Sequence, residues 1–184
     1  MSDRRWTTLS SQVAYTKKWI SVREEAVALP DGRVLDPYII IDIPSFCNVL
    51  VVTPADEVVM VKQFRHAAGV VTLEMPGGMI EPGEDPALAA AREVLEETGY
   101  GCPQLEALYD MAPNPPLENN RAWFYVARGA VWQRAPQYDA FEDIQVVHLP
   151  RATFLDNLLQ GKFNHGTQIG ALYAGAVRLG WLKP

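Results

Sequence analysis

Between residues 11 and 43 the chain alternates short β-branched runs with turn residues. Ser-Gln-Val-Ala-Tyr, a run from Trp19 to Leu29, a Pro30-Asp31-Gly32-Arg33 turn and a run from 34 to 43 predict a β-hairpin. Trp19, Ser21 and Arg23 alternate with Ile20 and Val22, which predicts one covered face and one exposed. Pro44 to Phe46 punctuate the chain. Apolar runs at 48–54, 58–64 and 70–74 predict strands, the last stopped by Pro76-Gly77-Gly78. Further strands are predicted at 105–111, 122–128 and 141–149, with a loop at Pro113, Pro115 and Pro116 that cannot lie inside a sheet. Helices at 152–160 and 167–180 close the chain. Strands flanked by helices predict an α/β/α sandwich on a mixed sheet, preceded by a small antiparallel β subdomain.

The remaining helix carries the chemistry. Asp85 is placed to cap it, Pro86 suits its first turn and Gly99 its left-handed end, giving about thirteen residues. At about 100° per residue, Glu93, Glu96 and Glu97 share an arc of roughly 100°. Ala87, Leu88, Ala91, Val94 and Leu95 occupy the opposite arc, so one face is expected to pack and the other to bind. Like charges at this spacing cost an isolated helix about 0.2 to 0.5 kcal/mol per pair. A hard divalent ion, Mg²⁺ or Mn²⁺, relieves that repulsion with oxygen ligands. Glu96-Glu97 alone would read as a solvated face, and Arg92–Glu96 as an ordinary helix ion pair.

Composition narrows the classes. At 184 residues and 48% hydrophobic content the chain fits one domain, or one with an appended subdomain. A net charge of −6 argues against a non-specific nucleic-acid binder but leaves room for a small anion held by arginines and metal-bound carboxylates. Cys47 and Cys102 lack metal-ligand spacing and suggest neither a zinc site nor a disulfide framework. No apolar stretch approaches the ~20 residues of a membrane span. Met-Ser-Asp-Arg-Arg-Trp has no apolar core behind its charges and does not read as a secretory signal, so a cytoplasmic location is expected.

Gly78, Glu84, Arg92-Glu93, Glu96-Glu97 and Gly99 stand at the fixed offsets of the signature of the Nudix hydrolases, which residues 78–100 resemble throughout. Lys62-Gln63-Phe64-Arg65, the run Leu73-Glu74-Met75-Pro76-Gly77, and Pro116 sixteen positions beyond Tyr100 resemble the ADP-ribose pyrophosphatase branch of that family. The resemblance implies a Nudix-type fold over 46–184, with residues 1–45 forming a subdomain that builds a homodimer and contacts the substrate base. It implies Gly77 (through its carbonyl), Glu93, Glu96 and Glu97 as metal ligands, and Glu84 as a structural partner of Arg92. Glu96, Glu97 and Glu142 are the implied catalytic carboxylates, with Glu142 as base or further ligand and Asp139 as a second candidate. Arg65, Pro116 and Arg121 are the implied substrate contacts, against an ordinary solvated arginine at position 65 and a plain surface acid at 142.

Three departures from the branch stand out. Gly77 replaces an alanine, a change expected to be harmless if only the carbonyl is used. Asn119-Asn120 precedes Arg121 where many members carry an acid, and the loop before Glu142 is poor in acids. Trp6, Trp19, Phe46 and Trp123 are the aromatics a base would stack on, set against their ordinary use as core. The activity implied is Mg²⁺-dependent hydrolysis of a nucleoside diphosphate linked to another moiety, with ADP-ribose going to AMP and ribose 5-phosphate. The rivals are a GDP-mannose or other nucleotide-sugar pyrophosphatase, and a non-catalytic nucleotide-binding regulatory module. Retention of all three helical glutamates weighs against the last.

Overall fold

The computed structural model describes residues 4–183; the first three residues of the charged N-terminal hexapeptide lie outside them. Two compact units divide the chain. One gathers the residues up to Ser45 with Ala112–Arg121, the other Phe46–Met111 with the chain from Ala122 onward.

The first unit is a three-stranded antiparallel sheet of β1 (Thr7–Lys17), β2 (Ile20–Ala28) and β3 (Val34–Asp42) in that order. The expected hairpin thus gains a strand. Thr7–Lys17 is rich in Thr and Ser and exposed along its whole length, so hydrophobic alternation marked only part of it, 11–15; its pairing with β2 supplies the order. The alternation expected from residue 19 onward left the two faces unassigned, and the more covered one shows further along β2. Glu25 and Val27 are buried at 7% and 6% exposure on the face shared with Arg23, whereas Trp19 is 53% exposed. That face is covered because its charges are paired: Arg23 donates from Nε to Asp42 Oδ2 at 2.6 Å and from Nη2 to Oδ1 at 3.0 Å, and also bonds Glu25. Residues 112–121 run along the free edge of β3, where Ile41 N donates to Leu117 O at 2.8 Å and Ile41 bridges Glu118 in parallel.

The second unit is built on a mixed sheet in which β11 (Ile144–Pro150), β5 (Glu57–Arg65), β4 (Phe46–Val52), β9 (Ala122–Arg128) and β8 (Gln104–Met111) are neighbours in that order, with β6 (Val70–Glu74) also on β5. Among the described residues of this sheet only β4 and β9 run parallel. Alternate residues of the central strands feed two cores. Val49, Val51 and Val59 pack with Ala89, Ala90 and Val94 of α1 (Pro86–Thr98). Leu50, Val58 and Met60 pack with Phe154 and Leu158 of α2 (Arg151–Leu159) and Leu172 and Ala176 of α3 (Gly166–Arg178). Both faces of the sheet are covered, which explains why 58–61 is a continuous apolar run rather than an alternation. A short ribbon of β7 (Tyr100–Gly101) and β10 (Val131–Trp132) follows the helix end.

Candidate active site

Helix α1 forms as its caps predict. Asp85 Oδ1 accepts from Ala87 N at 2.8 Å and Leu88 N at 3.2 Å, and Gly99 closes the far end at φ 77°. Its packing differs from the expectation. Leu88 is 68% exposed, and the buried positions are Ala89, Ala90, Val94, Glu97 and Thr98. The carboxylates therefore flank the packed side instead of opposing it. The expectation left out Ala89 and Ala90, which lie on the carboxylates' side of the helix and are buried, and the Glu97 side chain turns inward, its Oε2 accepting from Gly77 N at 2.8 Å.

That hydrogen bond ties the glycine loop to the helix. Gly77 has φ 152°, and a Cβ there would stand 2.0 Å from Cys47 O and 2.7 Å from Asn48 Cα. Glycine in place of the branch's alanine suits this backbone, which leaves no space for a methyl. Gly78 is less constrained: its Cβ would meet the Glu93 carboxylate at 2.5 Å, the far end of a side chain that can move.

Arg92 organises the exposed end of the cluster. Its Nε and Nη2 each reach Glu84 at 2.9 Å, Nη1 reaches Glu93 at 2.8 Å and Glu96 at 3.1 Å, and Nη2 also donates to Met79 O at 3.2 Å. The pairing with Arg92 and a bond from Glu81 N hold the Glu84 carboxyl down to about 2. Glu97 goes the other way. Burial pushes its carboxyl up to about 8, and nearby Glu93 and Glu142 add to the rise against the opposing Gly77 N–H. Glu93 is raised as well, first by burial, with Glu96 and Glu142 adding to it. Tyr138, which sequence reasoning missed, also feels Glu97 and Glu142, although burial is the main reason its hydroxyl is raised.

Glu142 lies in the exposed loop before β11, where its Oε2 accepts from Asp139 N at 2.8 Å. Because Ile144 pairs with Gln63, this loop leaves the sheet beside the end of β5 that carries Arg65. Arg65 is exposed but paired. Its Nε and Nη2 grip Glu74 at 2.8 and 2.5 Å, and it is close enough for its charge to lower the Glu97 carboxyl. Burial alone would raise the Glu74 carboxyl, but Arg65 and Thr72 overcome it and hold the group below the usual carboxylate range. Glu74 was not singled out from sequence, although an acid in the apolar run 70–75 was a visible signal.

The second unit thus brings together Gly77, Glu93, Glu96, Glu97, Arg65 and Glu142. Pro116 and Arg121 belong to the other unit: Pro116 O accepts from Tyr38 OH at 2.7 Å, and Arg121 N donates to Ser45 Oγ at 3.1 Å. Asn119 donates to Asp42, so the departure before Arg121 serves to fasten this loop to β3. Of the candidate stacking aromatics, Trp6 and Trp19 are exposed, and Trp6 meets Tyr38 edge-on at 6.0 Å.

The family model of the NUDIX domain matches residues 44–166, which hold every carboxylate of this cluster. The chain belongs to the NUDIX domain family. A second model, the nucleoside diphosphate sugar hydrolase N-terminal domain, matches residues 6–41 of this Nudix chain. Relatives include the methanol dehydrogenase activator of Bacillus methanolicus, 31% identical over 83% of this chain and 80% of that protein. An ADP-ribose pyrophosphatase of Mycobacterium tuberculosis is 28% identical over 100% of this chain and 90% of its own. A crystal structure of an ADP compounds hydrolase superposes with a TM-score of 0.82 at 22% identity, covering 100% of this chain and 97% of that one. The expected Nudix sandwich with a preceding antiparallel β subdomain is borne out, as is the resemblance to the ADP-ribose pyrophosphatase branch.

The oxygen-only donors of this Nudix site suit a hard divalent cation, and such an ion would reverse the rise that burial forces on Glu97. Gly78 leaves space in front of the Glu93 carboxylate. Among the described residues no three His, Cys, Asp or Glu side chains form a ready-made cage. Arg92 instead holds one oxygen each of Glu93 and Glu96.

Proposed function

We propose that this protein is a divalent-metal-dependent pyrophosphatase that hydrolyses ADP-ribose to AMP and ribose 5-phosphate. The observation that carries the reading is the Glu97–Gly77 bond, which joins the helical carboxylates to the glycine loop on the same side of the fold as Arg65. The ADP-ribose pyrophosphatases among the relatives and the N-terminal match to nucleoside diphosphate sugar hydrolases support the substrate class.

Glu93, Glu96 and Glu97, with the Gly77 carbonyl, are the residues that would hold Mg²⁺, for which Mn²⁺ is a substitute. A bound ion supplies charge neutralisation of the diphosphate oxygens and acidifies water. Arg65 orients the diphosphate with its guanidinium. Glu142 takes the proton from the attacking water; the new P–O bond forms in line as the bridging P–O bond breaks, and the departing phosphate keeps that electron pair. Pro116 and Arg121 are the remaining substrate contacts of this reading. The exposed apolar side chains Leu9, Val13 and Tyr15 of β1 support a homodimer built through residues 1–45. The free thiols of Cys47 and Cys102 suit the reducing cytoplasm, and among the described residues no helix is long and apolar enough to cross a membrane.

Incubation with Mg²⁺ and a panel containing ADP-ribose and GDP-mannose, with the products identified, tests the reading. Release of AMP and ribose 5-phosphate from ADP-ribose is the expected result. Preferential turnover of GDP-mannose would replace the substrate, and binding without turnover would make the chain a regulatory module.

A further inference from the structure

We infer that Glu74 is a positioning residue for substrate binding: it grips the side edge of the Arg65 guanidinium so that the end edge is left to take a diphosphate. A guanidinium has five N–H donors in one plane. Glu74 takes the Nε donor at 2.8 Å and one Nη2 donor at 2.5 Å. What remains is the end-on pair on Nη1 and Nη2, a fork matched to two phosphate oxygens. The burial is asymmetric, with the Arg65 side chain 45% exposed and Glu74 only 1%, so the held edge lies inside and the free edge outside.

The carboxylate is itself fixed from behind. Thr72 Oγ1 donates to Glu74 Oε1 from a residue 4% exposed, and His165 Nε2 stands 3.8 Å from Oε2. Three residues from His165, the 1%-exposed Gln168 accepts from Met75 N at 2.8 Å, immediately after Glu74. The start of α3 therefore anchors the residue that follows Glu74 and, with it, the loop that leads to Gly77. Gln168 lies beyond the stretch matched by the NUDIX model. Without its carboxylate partner, Arg65 would sample several rotamers and lose that entropy only on binding.

This inference rests on the pyrophosphatase reading, and a double-mutant cycle separates the two. Wild type, Glu74→Gln, Arg65→Lys and the double variant are compared by steady-state kinetics with ADP-ribose and Mg²⁺. Each is also titrated calorimetrically with ADP-ribose in EDTA, where binding is read without turnover. Glu74→Gln and Arg65→Lys should each raise KM and the metal-free Kd about tenfold, because lysine has no second edge, with kcat changing less than about threefold. Adding Glu74→Gln to Arg65→Lys should cost less than about twofold more. Additive losses, or a fall in kcat with KM unmoved, would overturn the role. Wild-type binding without turnover removes the pyrophosphatase reading and leaves the cycle to be judged on Kd, whereas a wild type that does not bind overturns the positioning role. If Glu74→Gln fails to fold, Arg65→Lys, which keeps a charge opposite Glu74, decides alone: an unchanged KM overturns the inference.

Discussion

The glycine loop with α1 and the loop 112–121 on β3 hold their functional candidates in different ways. At the first, Gly77 and Glu97 are twenty residues apart, while Glu84, Arg92, Glu93 and Glu96 interact within one turn-and-helix segment. At the second, Tyr38 reaches Pro116 across 78 positions and Asn119 reaches Asp42 across 77. The first arrangement is written in one stretch of sequence and buries charge, whereas the second is assembled by tertiary contact and stays near solvent. Reaction chemistry can thus be fixed by local spacing, while the residues proposed to choose the substrate depend on the fold bringing distant segments together.

The sharpest test of the first region is Glu97→Gln. Losing a proposed ligand should cut kcat by more than the roughly 10- to 100-fold that residues behind a metal ligand typically cost. The fold should survive, since the amide oxygen can still accept from Gly77 N. A pH series without metal adds a second readout. Burial raises the folded-state Glu97 carboxyl from 4.5 to about 8, so the unfolded chain releases its proton first as pH climbs. The contribution to stability is full below pH 4.5 and lost towards pH 8, and Glu97→Gln should flatten that decline in Tm. Near-wild-type turnover would remove Glu97 from the chemistry.

Gly77→Ala strikes the same region through its backbone. With Cys47 O at 2.0 Å and Asn48 Cα at 2.7 Å, both backbone atoms, the methyl has nothing flexible to displace. A loss of about 3 kcal/mol is expected. For a chain of this size that lowers Tm by roughly 6 to 12 °C in calorimetry. An unchanged Tm would mean that the loop can move, and with it the contrast between a rigid site and an adaptable one would fade.

These two residues also show what was legible. Glu97 was readable because the signature fixes its offset from Gly78, and the helix limits were readable because Asp85, Pro86 and Gly99 are local signals. The inward turn of Glu97 was not, since a polar residue beside an apolar face looks the same whether it faces water or a buried loop. The strain at Gly77 comes from Cys47 and Asn48, about thirty positions away. Tyr38 and Asp42 carried no motif and Glu74 stood in a run read without a role for it; each acquires its role from a partner that the fold brings near. Of the first strand only 11–15 were read, because the Thr and Ser residues before them carry no hydrophobic period.

A smaller effect is expected at the helix start. Asp85→Ala removes the acceptor for Ala87 N and Leu88 N and should cost about 1 kcal/mol, or roughly 2 to 4 °C in Tm. Activity at 25 °C should hold, because Glu93 and Glu97 sit about two and three turns further on. A fall in kcat without a fall in Tm would show that the first turn, and not only the carboxylate turn, sets the ion-binding geometry.

Tyr38→Phe is the mildest change and the most direct probe of the second region. It deletes one hydroxyl, whose 2.7 Å bond to Pro116 O is one of the ties between β3 and the 112–121 loop. The ring stays against Trp6, so packing is preserved. Ile41 N–Leu117 O and Asn119–Asp42 continue to hold the loop. A net loss of about 0.5 to 1 kcal/mol is expected for one such bond. If Pro116 serves substrate recognition, that loosening should appear as a two- to fivefold rise in KM for ADP-ribose, with kcat unmoved (roughly 0.5 to 1 kcal/mol). A shift in Tm alone would make the tie purely structural and would erase the division of labour drawn between the two regions. A rise in KM for ADP-ribose but not for GDP-mannose would sharpen it, placing the loop at the part of the ligand in which those two molecules differ.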